Sequence, residues 1–180
     1  MYDVIIVGAR CAGAPTTMLL ARRGHRVLLV DRARFPSDIP HGHFIHRHGP
    51  RLLSRWGLLE RVAATGCPAV TSMTLDLGDF PLTGIGLEVA GVPMAYAPRR
   101  AVFDATLVAA AVEAGAELRE SFAVDGLLTD NGRVAGIRGR RAGGATMAER
   151  ATVTVGADGR NSRLAAIVRA PARTIVSMSA

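Results

Sequence analysis

The sequence predicts an α/β fold in which a parallel sheet with crossover helices is interrupted by an antiparallel β insertion. Three observations carry that expectation: a strand, glycine turn, helix, strand and acid within residues 2–32, a run of short strand-like segments from 70 to 97, and a return to alternating helix and strand from Ala101.

The apolar run Val4-Ile5-Ile6-Val7 is β-branched and stops at Gly8, as a buried parallel strand does. The turn Gly8-Ala9-Arg10-Cys11-Ala12-Gly13 then opens a helix from about Ala12 to Arg23, closed by Gly24. Pro15 falls in the first turn, where its missing donor costs nothing. His25 to Val30 reads as the second strand and ends on Asp31. A helix whose N-terminus faces the C-terminal edge of a parallel strand offers unpaired N–H groups and a positive dipole end to a pyrophosphate. Gly8 permits the sharp turn and Gly13 the close approach of helix to strand. Asp31, eighteen residues after Gly13, stands where a carboxylate accepts hydrogen bonds from ribose hydroxyls. Arg10 holds the usual place of the middle glycine, so either the backbone approach to the phosphate changes or the arginine itself neutralises ligand charge. The unit predicts a Rossmann-like dinucleotide site. Cys11 reads as a small residue packed at a helix start, without a catalytic role.

After Asp31 the chain does not continue with the helix and strand of a standard nicotinamide-binding domain. Residues 32 to 47, with Pro36, Pro40 and Gly42, read as a long loop of the kind that carries function. His41, His43, His46 and His48 share this stretch, and alternate residues of an extended chain point to one side, as a metal site would use. Asp38 is the only other ligand type nearby, so a polar loop lining a cofactor or substrate cleft is favoured and no metal is assigned. From Gly49 to Ala64, Leu52, Leu53, Trp56, Leu59 and Val62 recur at helical spacing and predict one helix, weakened at Gly57. Strand-like stretches at Val70–Leu77, Gly86–Val89 and Met94–Ala97 predict the antiparallel insertion. Ala101 to Ala114 is an amphipathic helix ending at Gly115, and Ala116 to Arg119 a short edge strand. Ser121–Thr129 and Arg133–Arg140 predict a hairpin around Asp130-Asn131-Gly132. Thr152–Val155 is the last β-branched run and delivers Gly156-Ala157-Asp158-Gly159. On spacing alone Asp158 is a cap for a short helix from Ser162 to about Val168.

Composition bounds the function classes. A chain of 180 residues with 49% hydrophobic and 21% charged content suits one soluble globular unit. The first strand begins within a few residues of Met1 and no apolar run is long enough to span a bilayer, so no signal peptide, no membrane span and a cytoplasmic location are expected. Cys11 and Cys67 lack the spacing of a disulfide framework and are expected to be reduced. A net charge of +7 and a pI of about 11.0 invite a nucleic-acid reading. All 22 basic residues are arginine, however, and they are scattered through apolar segments rather than clustered with aromatics, which argues against nucleic acid.

Three features together resemble one family. The Gly8–Gly13 turn with Asp31, the helix start carrying Arg100 and Asp104, and Gly156-Ala157-Asp158-Gly159 make the chain, over about residues 2 to 168, similar to the FAD-dependent monooxygenases of the p-hydroxybenzoate hydroxylase type and the related geranylgeranyl reductases. The resemblance implies an FAD-binding domain over residues 1–180, with 66–98 the start of an inserted substrate-side sheet. It implies that Gly8, Arg10, Cys11, Ala12, Gly13, Asp31, Arg32, Arg100 and Asp158 lie along FAD, with the backbone near Val124 against adenine. In that family the fingerprint matched by Asp158-Gly159 touches the pyrophosphate region and is tied to NAD(P)H, which is therefore the implied electron donor. Two departures stand out. The family's arginine near the flavin has only Arg47 and Arg51 as counterparts, neither of them aligned. The later GD fingerprint of the flavin side is not reached before Ala180, so an N-terminal portion of a larger protein is expected.

The chemistry that the resemblance implies belongs to the flavin, which, once reduced by NAD(P)H, activates oxygen to hydroxylate or epoxidise a small organic substrate while protein groups orient and shield it. Two alternatives stand beside it: a flavin reductase saturating an isoprenoid chain, and a non-catalytic module binding FAD or ADP. No order of nucleophile, histidine and acid suggests a hydrolase. No catalytic acid or base is assigned, and the oligomeric state is not read from the sequence.

Overall fold

The computed structural model describes residues 1–40, 43–46, 48–86, 88, 91–93 and 95–171. The chain divides into two compact units, Met1–Arg34 with Val108–Ala180, and Phe35–Leu107.

β1 (Tyr2–Val7), α1 (Gly13–Ala21) and β2 (Val27–Val30) form the expected βαβ start. The two strands are parallel, in register from Val4 and Val27 to Val7 and Val30. Ile5, Ile6, Leu28 and Leu29 are fully buried, and each such side chain taken out of water contributes roughly 1.5–3 kcal/mol. α1 closes at Gly24, whose φ of +84° turns the chain so that the Gly24 and His25 amides return to the carbonyls of Ala21 and Leu20.

The second unit holds β3 (Ile45–His46), α2 (His48–Trp56), α3 (Leu59–Ala63), β4 (Ala69–Val70), β5 (Ser72–Asp76), β6 (Pro81–Ile85) and β7 (Ala95–Tyr96), and begins α4 (Arg100–Glu113). Here two expectations are corrected. The stretch 32 to 47 is not all loop, because Ile45–His46 pairs with β7 in the antiparallel sheet β3-β7-β4; Arg47 lies outside the described residues. The single helix expected over Gly49 to Ala64 is two. Gly57, at φ +73°, ends α2, with the Gly57 and Leu58 amides bonded back to Ser54 and Leu53 carbonyls, the same glycine closure that ends α1. β6, at Pro81–Ile85, precedes the stretch Gly86–Val89 where a strand was expected. Asp76 accepts from the Gly78 amide at 2.9 Å, and this tight turn sends the chain straight back along β5; Leu87 and Val89 lie outside the described residues. The β5–β6 ribbon is exposed along its whole length, with Met73, Leu75 and Leu82 more than half exposed.

The first unit resumes with β8 (Glu117–Arg119), β9 (Phe122–Asp130), β10 (Arg133–Arg141), β11 (Thr146–Gly156) and α5 (Arg163–Ile167). Its sheet has the order β8-β2-β1-β11-β10-β9. The expected hairpin is present, with Asn131 and Gly132 both at positive φ, as a two-residue turn between twisted strands requires. β11 is longer than the expected Thr152–Val155. Its first half pairs antiparallel with β10 and its second half parallel with β1, so one strand joins both parts of the sheet. The charged Glu149 and Arg150 hide that first half from a hydrophobic pattern. Tyr2, Ile5, Val7, Leu28, Val30, Phe122, Val124, Ile137, Ala151 and Leu164 form one core, shared by β1, β2, β9, β10, β11 and α5. At its polar end the Tyr2 hydroxyl donates to Glu117, and Arg119 donates to Glu117, Glu149 and the Tyr2 oxygen, tying β1, β8 and β11 together. No helix among the described residues is long and apolar enough to cross a membrane.

Candidate functional site

The C-terminal ends of β1, β2 and β11 meet in the first unit. Gly8, at φ +103°, follows β1, and its amide donates to the Val30 carbonyl at 2.8 Å. A Cβ on Gly8 would lie 2.3 Å from the Ala157 carbonyl oxygen, so the glycine turn and the turn after β11 are packed backbone to backbone. A Cβ on Gly13 would lie 1.7 Å from the Gly8 oxygen and 3.2 Å from the Ile6 side chain, which accounts for both glycines of the motif by close approach. Arg10, half-buried in place of the middle glycine, is not among the residues with positive φ, so it stands there without left-handed backbone strain. Cys11 and Ala12 are exposed and Gly13 is buried.

Asp31 ends β2 nearly buried. One carboxylate oxygen accepts the Ala9 amide at 2.7 Å and the other the Ala33 amide at 2.8 Å. Its own amide donates to Arg119 and its carbonyl accepts from Phe122, so β8 and the start of β9 hold it from behind. The spacing in sequence predicted a ribose acceptor at Asp31 and gave no sign of what the structure shows, that Asp31 braces the glycine turn. A carboxylate has about four acceptor positions, so two remain after these amides.

Asp158 has both oxygens engaged in the start of α5. Oδ1 accepts from the Ser162 hydroxyl at 2.6 Å, and Oδ2 accepts from the Arg163 amide at 2.7 Å and the Leu164 amide at 3.2 Å. Ser162 in turn accepts from the Ala165 amide at 3.0 Å. The capping role read from the spacing is therefore present, doubled by a serine whose position three residues before Ala165 is itself a capping signal. Val124 has its side chain in the core, and Arg32 is exposed.

Arg100 belongs to the second unit. Its Nη2 donates to both Asp104 oxygens at 3.0 Å and its Nε to Oδ1 at 3.1 Å, and Asp104 is fully buried. Arg100 and Asp104, singled out as a pair in the sequence, are thus joined one helical turn apart. Two contacts beside them had no clear signal in the sequence. His43 Nδ1 accepts the Arg100 amide at 3.1 Å, and Asp38 accepts from Arg99 Nε at 3.0 Å, which holds the Asp38 carboxyl below its usual range. Of the other histidines, His46 stacks on Phe44, His48 starts α2, and His41 lies outside the described residues.

The donor set at the first sheet edge suits an anion with a sugar beside it. α1 has no acidic residue in its first turn and no side-chain cap at Ala12, and the Ala12 and Gly13 amides make no hydrogen bond among the described residues. Among the described residues the positive helix end therefore has no acidic partner in its first turn, and it stands next to an Asp31 with acceptor positions to spare. The family model described as an FAD binding domain matches residues 1–177. The chain belongs to this FAD-binding family. Among curated relatives, digeranylgeranylglycerophospholipid reductase of Methanocella arvoryzae is 30% identical over 171 residues, covering 91% of this chain and 40% of that protein. Protein FixC of Salmonella typhi is 30% identical over 174 residues, covering 92% and 38%. The solved structure of CmlS, a flavin-dependent halogenase, superposes with a TM-score of 0.81 at 25% identity, over 93% of this chain and 31% of that one. The chain thus spans about two fifths of the curated relatives it matches.

Proposed function

We propose that the chain binds FAD at the C-terminal edge of its parallel sheet and serves an oxidoreductase that acts on a small organic molecule with NAD(P)H as electron donor. The observation that supports this best is the meeting of unengaged α1 amides, the Asp31 carboxylate and the two packed turns at one sheet edge. In this reading the Ala12 and Gly13 amides and the positive end of α1 hold the pyrophosphate. Asp31 accepts from the adenosine ribose while keeping the Ala9 amide fixed. Arg10 supplies positive charge at the turn, and Cys11 and Arg32 flank the ligand. Backbone near Val124 meets adenine. Asp158 acts through the turn it braces, which keeps Ala157 against Gly8. In the second unit, Arg100 has Nη1 without a hydrogen bond among the described residues and offers it to an anion.

When bound, FAD supplies two-electron transfer and, once reduced, reactivity toward oxygen. The protein's contribution is to orient that group and exclude water from it. Monooxygenation is the finer reading that we favour. A reductase that saturates an isoprenoid chain is the second, supported by the similarity to the digeranylgeranylglycerophospholipid reductase of Methanocella arvoryzae. The decisive first experiment is to purify the chain, record its visible spectrum, identify any nucleotide released on denaturation, and titrate it with FAD and ADP. A flavin spectrum or saturable binding is expected; no affinity for either ligand sinks the proposal. Oxygen uptake then separates the two chemistries in a protein that turns over, since monooxygenation consumes oxygen in step with product and saturation does not.

A further inference from the structure

We infer that His43 is a positioning residue for Arg100, holding the start of α4 only while its imidazole is neutral. The first amides of a helix have no intrahelical acceptor, and the Arg100 amide finds one in His43 Nδ1 at 3.1 Å. A ring nitrogen accepts only through a free lone pair, so Nδ1 carries no proton in this arrangement. The Arg100 side chain is fixed separately by its fork on buried Asp104. One residue is thereby held at both ends, its backbone by His43 and its guanidinium by Asp104, and its Nη1 is left in a defined direction.

A protonated Nδ1 has no lone pair to offer and would place a positive charge at the positive end of α4, so only the neutral ring can hold the Arg100 amide.

The test reads the hydrogen-exchange protection of the Arg100 amide by NMR in the 180-residue chain and in His43→Asn and His43→Ala, with the Leu107 amide inside α4 as the control for folding. Asparagine keeps an acceptor oxygen, and alanine removes it. His43→Ala should lose about tenfold in Arg100 protection, the size of one lost hydrogen bond, and His43→Asn should retain it, with Leu107 unchanged in both. Wild-type protection in His43→Ala, or a loss in His43→Asn as large as in His43→Ala, overturns the inference.

Discussion

At the scale of single residues, Asp31 and Gly8 shape the glycine turn, Asp31 by accepting the Ala9 amide and Gly8 by its close approach to Ala157. Asp31 follows the apolar strand Val27–Val30, eighteen residues after Gly13, and the structure puts it nearly buried beside the turn. Asp31→Ala should weaken FAD or ADP binding about ten- to a hundredfold, from the loss of charged hydrogen bonds worth roughly 1.5–3 kcal/mol. Calorimetric titration giving an unchanged affinity would show that the adenosine lies elsewhere. Gly8 is required twice over, by its φ of +103° and by the Ala157 oxygen 2.3 Å from where a Cβ would sit. Gly8→Val should lower stability by roughly 3 kcal/mol or more and abolish cofactor binding; thermal unfolding and titration of the purified variant check both, and a stable variant with normal binding contradicts the packing argument. The bond from the Ala9 amide to Asp31 was not legible, because it joins residues twenty-two positions apart through a geometry that only the folded sheet creates.

At the scale of elements, glycine closures and caps decide where helices stop and start. Gly24 and Gly115 were recognised as helix ends; Gly57 was seen only as a weak point, although it ends α2 by the same pair of returning hydrogen bonds. The start of α5 depends on Ser162 and Asp158. Ser162→Ala should cost about 1 kcal/mol, whereas Asp158→Ala strands the Arg163 and Leu164 amides and should cost roughly 1–3 kcal/mol. Urea denaturation of both variants orders them, and equal, negligible effects would remove the cap from the account. The β5–β6 ribbon departs from the usual alternation of a buried sheet. Its register sets Leu75 opposite Leu82, with Met73 on the same face, all of them exposed. Replacing Leu75 and Leu82 by threonine should reduce binding of an apolar fluorescent dye without lowering the melting temperature, since little packing is lost. A large fall in melting temperature would mean that this face is covered in solution.

At the scale of the whole molecule, the polar cluster of Tyr2, Glu117, Arg119 and Glu149 joins three strands and gives stability a pH dependence. The hydrogen bond from Tyr2, with help from Arg119, holds Glu117 below its ordinary value of 4.5, so that this contribution is present above that pH and fades as the pH falls through the lowered value. Burial, then the bond to Glu117, raises Tyr2 above 10.0, so the same link persists below that pH and is lost at stronger alkalinity. Tyr2→Phe should destabilise by about 1 kcal/mol at neutral pH, discounted because Glu117 is partly exposed, and the difference from wild type should shrink at both extremes. Denaturation curves at several pH values test this, and a constant difference would disprove the linkage. The sequence by itself determined the βαβ unit, its glycine turn and its acid, because strand and helix periods and glycine stereochemistry are local properties. It also determined the hairpin through Asn131-Gly132, whose turn needs left-handed residues. Only the tertiary structure decided that β11 serves two sheet partners, that Asp31 braces Ala9 and that His43 meets Arg100. Each of these joins residues far apart in the chain, and such contacts follow from how strands pair and loops return, which no local pattern encodes.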